Sequence, residues 1–128
     1  LQWYNYLFYG DDTLVEEYYK DMKALTNFYL SFKDENVIIQ GVMGDWCPPS
    51  WDRRLNPYAL ECDPIISVNA YFYHVFGIME GFAKMKQDTT FEAQMKQEKE
   101  ALKQAFNKFF YCPFQKQILN GMQVKRPR

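Results

Sequence analysis

"TLVEEYYKDMKALTNFYLSF", residues 13 to 32, is the stretch on which the fold turns. Leu14, Tyr18, Met22, Leu25, Tyr29 and Phe32 recur at steps of three and four, while Glu16, Glu17, Lys20, Asp21 and Lys23 fall mostly elsewhere. A stripe with that spacing is one face of an amphipathic helix. Thr13 to Glu16 matches the S/T-x-x-E capping box, which starts the helix at about residue 13. Upstream, residues 1 to 9, LQWYNYLFY, are almost wholly apolar and begin without a cap, so they read as the last turns of an element whose beginning is absent. Gly10 fits the left-handed position that ends helices. The link between the two helices is short, and they are expected to pack antiparallel as a hairpin.

Downstream the pattern repeats. Asp63-Pro64 restarts a helix, with Asp able to cap and Pro tolerated at the first helical position. The segment to about Met85 is apolar on nearly every face and is expected to be a buried inner helix. Thr89 to Glu92 is a second capping box, after which Phe91, Met95, Leu102, Phe106 and Phe109 mark one face of a charged, outer helix ending near Phe110. Two hairpins, each an apolar helix with a more polar partner, define an all-α class and the plan of stacked helical folds. The tail, Tyr111 to Arg128, has no usable period, and both ends of the chain look truncated.

Residues 33 to 63 interrupt this plan. Lys33 to Asn36 is a polar turn, Val37-Ile38-Ile39 a short extended piece, and Gly and Pro punctuation then runs through Pro57. A stretch of about 30 residues without regular structure is long for a compact domain, and such loops are usually functional or disordered. Trp46, Trp51, Tyr58 and Leu60 argue for an ordered, working loop. Its centre, "GVMGDWCPPSW", residues 41 to 51, holds two tryptophans where no helix can form. A loop tryptophan is a plug for the core or a platform for a ligand, and the residues alone leave both open.

The totals exclude several classes. With 48% hydrophobic and 24% charged residues, disorder is not expected. A net charge of −1 without a basic stripe removes the footprint of nucleic-acid binding. The most apolar run, Ile65 to Ala83, is broken by Ser67, Asn69, His74 and Glu80, so no membrane span is expected. An aromatic share of 19% fits a thick helical core, a carbohydrate-facing surface, or both. Cys47, Cys62 and Cys112 lack metal-ligand spacing. Cys47 and Cys62 flank one loop and could bridge, although free thiols are the preferred reading. His74 stands alone as the single histidine and reads as a satisfied buried side chain. Asp45, Asp52, Glu61 and Asp63 lack EF-hand spacing. Neither a metal nor a cofactor is expected.

The pieces "WYNYLFYGDDTLVEEYYKDMKALTNFYL", "GDWCPP", "SVNAYFYH", "EALKQAFNKFFY" and "NGMQV" occur in the order found in one enzyme family. In these the chain resembles the catalytic domain of the bacterial α-L-rhamnosidases, glycoside hydrolase family 78. The resemblance implies part of an (α/α)6 barrel of six helical hairpins, of which this chain is roughly a middle third. It implies inverting hydrolysis of terminal α-L-rhamnosides by the parent enzyme, with a rhamnose-containing glycan or glycoside as partner. It places the general acid upstream of Leu1 and the general base downstream of Arg128, so no catalytic residue is assigned and the isolated chain is expected to be inactive.

The resemblance also settles the expectation for the loop. Asp45 and Trp46 match the residues that line the rhamnose pocket, where a carboxylate meets hydroxyls and an aromatic plane meets the sugar's apolar face. Trp51 with Asp52 is a second candidate contact on the aglycone side, although packing on its own loop is the stronger reading of Trp51 from the residues. The substrate-binding candidates are thus Asp45, Trp46 and Trp51. Tyr71 and Tyr73 are read chiefly as core, one of them a candidate for the barrel mouth. The rival readings are another helical-barrel glycosidase and a non-catalytic α-helical repeat module. Part of a barrel leaves inner helix faces exposed, through which the chain is expected to oligomerise or else to be poorly stable.

Overall fold

Glycine and proline set two of the helix boundaries in the computed structural model, which describes residues 2–39, 64–112 and 117–118. The elements are α1 (Gln2–Tyr9), α2 (Thr13–Leu30), β1 (Lys33–Asp34), β2 (Val37–Ile38), α3 (Pro64–Met85), α4 (Thr89–Phe110), β3 (Tyr111–Cys112) and β4 (Gln117–Ile118). Gly10 ends α1 at φ +67°, and its N–H donates to the Tyr6 carbonyl at 2.9 Å. α3 begins on Pro64 itself, where a missing N–H costs nothing.

Both expected capping boxes are displaced by one residue. Asp12 holds the cap position of α2 without a side-chain cap bond, while Asp11 Oδ1 accepts the Thr13 N–H at 3.0 Å. Hydrogen bonds from Thr13, then Asn5, hold the Asp11 carboxyl below its ordinary pKa. In α4 the cap is Asp88, whose Oδ1 accepts the Phe91 N–H at 3.1 Å. Each threonine follows an aspartate, which is at least as good an acceptor and is further favoured by the helix dipole.

The turn between α3 and α4 is a Schellman motif. The Asp88 N–H donates to the Ala83 carbonyl at 2.9 Å and the Gln87 N–H to the Lys84 carbonyl at 3.1 Å. Gln87 sits at φ +56°, a conformation that costs a side-chain-bearing residue about 1 kcal/mol. Gln87→Gly is therefore expected to stabilise the chain by about 1 kcal/mol. The urea midpoint measures it, and an unchanged or lower midpoint would contradict it.

The buried face of α2 is rotated from the stripe its periodicity suggests but shares Met22 and Tyr29 with it, and Phe32 just beyond the helix also packs on the core. Val15, Tyr19 and Thr26 are buried, with Met22, Tyr29 and Leu30 partly so, whereas Tyr18 and Leu25 are 40% and 57% exposed. Apolar residues stand in adjacent pairs, Leu14-Val15 and Tyr18-Tyr19, so spacing alone permits two stripes about 100° apart. Partners choose between them. The Tyr19 hydroxyl donates to Asp88 Oδ2 at 3.0 Å, and the Tyr29 ring lies 4.9 Å from that of Phe72. Thr26 is buried at no polar cost because its hydroxyl donates to the Met22 carbonyl at 2.7 Å.

α3 buries Ile66, Asn69, Phe72, Phe76, Met79, Phe82 and Ala83, a single stripe of three- and four-residue steps. Its other side is open: Tyr71 is 66% and Tyr73 38% exposed. α4 answers with Phe91, Met95, Leu102, Ala105 and Phe110, as its periodicity predicts apart from the last two. α1 buries no residue completely. Trp3 meets Phe82 edge-on at 5.9 Å, while Leu7, Phe8 and Tyr9 stay exposed.

Paired contacts give the helix directions. Glu80 meets Lys99 at 3.5 Å, and Tyr73 lies near Leu102 and Phe106, so α3 and α4 are antiparallel. Along α2 and α4, Tyr19 and Lys23 meet Asp88 while Asn27 meets Gln94, so these two run parallel. A parallel pair of polar helices, each preceded by a more apolar one, is how stacked hairpins repeat. No described helix is long and apolar enough to cross a membrane.

Residues 33 to 38 form a β-hairpin, so the long loop begins later than the sequence suggests. Lys33 pairs with Ile38 and Asp34 with Val37, around Glu35 and Asn36 at φ +44° and +65°. Two positive φ values define the tight turn whose twist suits a hairpin. Val37 and Ile38 are buried, and Lys33 Nζ donates to Glu98 at 2.6 and 2.9 Å, tying the hairpin to α4. β3 and β4 form a second antiparallel pair in the tail, where no period announced one.

Candidate functional site

Asp45, Trp46 and Trp51 lie outside the described residues, as do Cys47, Asp52, Glu61, Cys62 and Asp63. The structure describes the two stems of the segment that carries them: the β1–β2 hairpin before it and the first turns of α3 after it. These stems meet at Asn69. Its Oδ1 accepts the Ile38 N–H at 2.8 Å, and its Nδ2 donates to the carbonyls of Ile38 and Ile65, each at 2.8 Å. Asn69 is fully buried, yet every polar atom of its side chain is bonded. In the sequence Asn69 is a break in an apolar run and part of the motif SVNAYFYH, neither of which names its partners. No signal in the sequence could have marked that role, because its partner Ile38 lies 31 residues away.

Beside Asn69, α3 and α4 leave a groove of about 380 Å³, lined by Ala70 and Tyr73 on one side and Leu102, Lys103 and Phe106 on the other. Aromatic and aliphatic walls with an ammonium and the Asn107 amide at hand suit a partly apolar, partly hydroxylated surface.

Three sequence expectations change on this face. Tyr71 and Tyr73 are both exposed rather than packed in the core. Tyr73 lies under the Lys99 ammonium, 5.5 Å from the ring centroid, while Lys99 also pairs with Glu80. His74 is exposed, not buried, on the same open side of α3 as Tyr71. Among the described residues no three His, Cys, Asp or Glu side chains gather to hold a metal ion.

The stacked hairpins and the long connection between them place the chain among helical-hairpin folds. The family model of the bacterial alpha-L-rhamnosidase 6 hairpin glycosidase domain matches residues 1–126. The chain therefore belongs to the bacterial alpha-L-rhamnosidase six-hairpin glycosidase family. It is 71% identical over 110 residues to an alpha-L-rhamnosidase of Formosa agariphila, a match covering 86% of this chain and 12% of that protein. It is also similar to the structure of alpha-L-rhamnosidase from Dictyoglumus thermophilum, with a TM-score of 0.76 and 26% identity over 88% of this chain and 12% of that one. The chain thus spans about an eighth of the length of these relatives.

Proposed function

We propose that this chain forms part of the sugar-binding wall of an enzyme that hydrolyses terminal α-L-rhamnosides. Its family membership over residues 1–126 carries the reading, supported by the 71% identity to a protein named alpha-L-rhamnosidase. Asp45 accepts hydrogen bonds from the sugar's hydroxyls, Trp46 covers its apolar face, and Trp51 lies nearer the aglycone. The reaction inverts the anomeric centre. An acid protonates the leaving oxygen and a base activates water across a gap of about 6.5–9.5 Å. Both carboxylates come from the rest of the parent polypeptide. Self-association through exposed inner helix faces belongs to the same reading when the chain is alone.

The test is hydrolysis of a nitrophenyl α-L-rhamnoside by the parent enzyme. Asp45→Asn and Trp46→Ala are each expected to lower kcat/KM about 100-fold, equivalent to about 2.7 kcal/mol, without changing the melting temperature. Unchanged kinetics in both variants would reject the sugar-contact role.

A further inference from the structure

We propose that copies of this chain stack head to tail, the open flank of α2 on one copy docking against the open flank of α3 and α4 on the next. The inference rests on the proposed self-association and names the two surfaces that carry it. It is independent of the sugar contacts.

Within one chain, α2 and α4 already show how two polar helices pack side by side. They run parallel, with Tyr19, Lys23 and Asn27 of α2 meeting Asp88 and Gln94 of α4. At about 100° per residue, Leu14, Tyr18, Asp21, Leu25 and Phe28 lie about 140–180° round α2 from Lys23. They form the flank opposite α4. Tyr18 is 40% exposed and Leu25 and Phe28 each 57%, so this flank is open along most of its length. Asp21 is its one charge, and Glu17 borders it.

The far side of α4 carries the complementary pattern. Lys96, Lys99, Lys103 and Asn107 lie about 140–180° round α4 from Gln94, with Glu92 the one acid among them. Lys99 is held by Glu80. Lys96 and Lys103 are exposed and, among the described residues, form no ion pair. Beside these ammonium groups, Tyr73, Leu102 and Phe106 wall the groove of about 380 Å³ between α3 and α4. One flank is apolar with a negative charge, and the other is positive with an apolar slot.

A second copy satisfies both flanks at once. Its α2 stands to α4 as α4 stands to α2, so the stacking of one hairpin on the next simply continues. Pairing of like flanks is disfavoured by charge. Two α2 flanks oppose Asp21 to Asp21 and two α4 flanks set lysines against lysines, whereas head-to-tail docking brings Asp21 to Lys96 and Lys103. Each docked pair keeps one flank of each kind open, so the association is heterologous and grows past the dimer.

Sedimentation velocity of the 128-residue chain across a range of concentrations tests this, with Asp21→Lys, Lys103→Glu and the doubly reversed chain alongside. Both residues are exposed and, among the described residues, form no ion pair, so each variant is expected to keep the helical circular dichroism of the wild type. The wild-type chain is expected to form species larger than a dimer as concentration rises. Each single reversal is expected to weaken association about tenfold or more, because like charges then meet across the interface, and the double reversal to recover most of that loss. Oligomers indifferent to both reversals would overturn the proposal and leave self-association standing. A dimer that never grows would show like flanks pairing and would overturn it too, as would a double reversal no better than the singles. A monomer at every concentration would overturn both this proposal and the self-association on which it rests.

Discussion

Phe91→Ala is expected to lower the unfolding free energy by roughly 3–5 kcal/mol, against a total of about 5–15 kcal/mol for a natural domain. Phe91 is 1% exposed at the start of α4 and fills the junction where α2, α3 and α4 converge. Its ring meets Tyr19 edge-on at 6.4 Å, and the Lys23 ammonium lies 4.7 Å from its centroid. Alanine removes the apolar filling and leaves both α2 partners facing a cavity. Phe91→Leu keeps most of the volume and is expected to cost far less. Urea unfolding followed by far-UV circular dichroism measures both. A loss below about 1 kcal/mol for the alanine variant would mean that the junction collapses around the gap.

The second large effect is expected at Asp88, which does three tasks with one carboxylate. It caps α4 through Phe91, pairs with Lys23 at 2.6 Å, and accepts from Tyr19 at 3.0 Å. Lys23 first, then the Phe91 N–H, hold its pKa below the ordinary carboxylate value, with Tyr19 adding a smaller share. Burial first, then Asp88, push the Tyr19 hydroxyl well above its ordinary pKa, so it stays a donor. Asp88→Ala deprives Lys23, Tyr19 and the helix end of their partner at once and is expected to lower the melting temperature by several degrees. Asp88→Asn keeps a capping oxygen and loses the charge, so its deficit is smaller and isolates the ion pair.

The sign of the pH dependence follows. A carboxyl depressed in the native state contributes stability that is complete above its unfolded pKa of about 3.9, and loses it as pH falls through the lower folded value. Wild-type and Asp88→Asn chains are therefore expected to differ at neutral pH and converge in acid. A constant difference down to strongly acidic pH would show that the charge of Asp88 is not the source.

Much of the frame was legible in the sequence because it depends on local chemistry. Gly10 ends a helix because a residue without Cβ adopts positive φ freely, and Pro64 starts one because it lacks an N–H. The spans of α2, α3 and α4 followed from apolar spacing and from the polar turns between them. The caps slipped by one residue because aspartate and threonine compete for the same N–H groups, and adjacent candidates look alike in sequence. The two β-hairpins were harder to see, since two-residue strands leave almost no period to read.

The candidate site was legible only through resemblance. Asp45 and Trp46 are residue types that bind sugars, but the same types also pack loops, and no local rule separates the two uses. Asn69 was hidden for a related reason, because a polar residue in an apolar run signals nothing until its partners are known. Ile38 lies 31 residues away from it in sequence.

By itself, the sequence determined the helix count and boundaries among the described residues and the family pattern, because backbone propensity and apolar spacing act within a few residues. Tertiary structure alone decided which face of α2 is buried, since Tyr18 and Tyr19 are equally apolar and only Asp88 and Phe91 distinguish them. It alone left Tyr71, Tyr73 and His74 exposed and brought Ile38 to Asn69. Those outcomes rest on pairings between distant residues, whose energies exist only after the hairpins have packed.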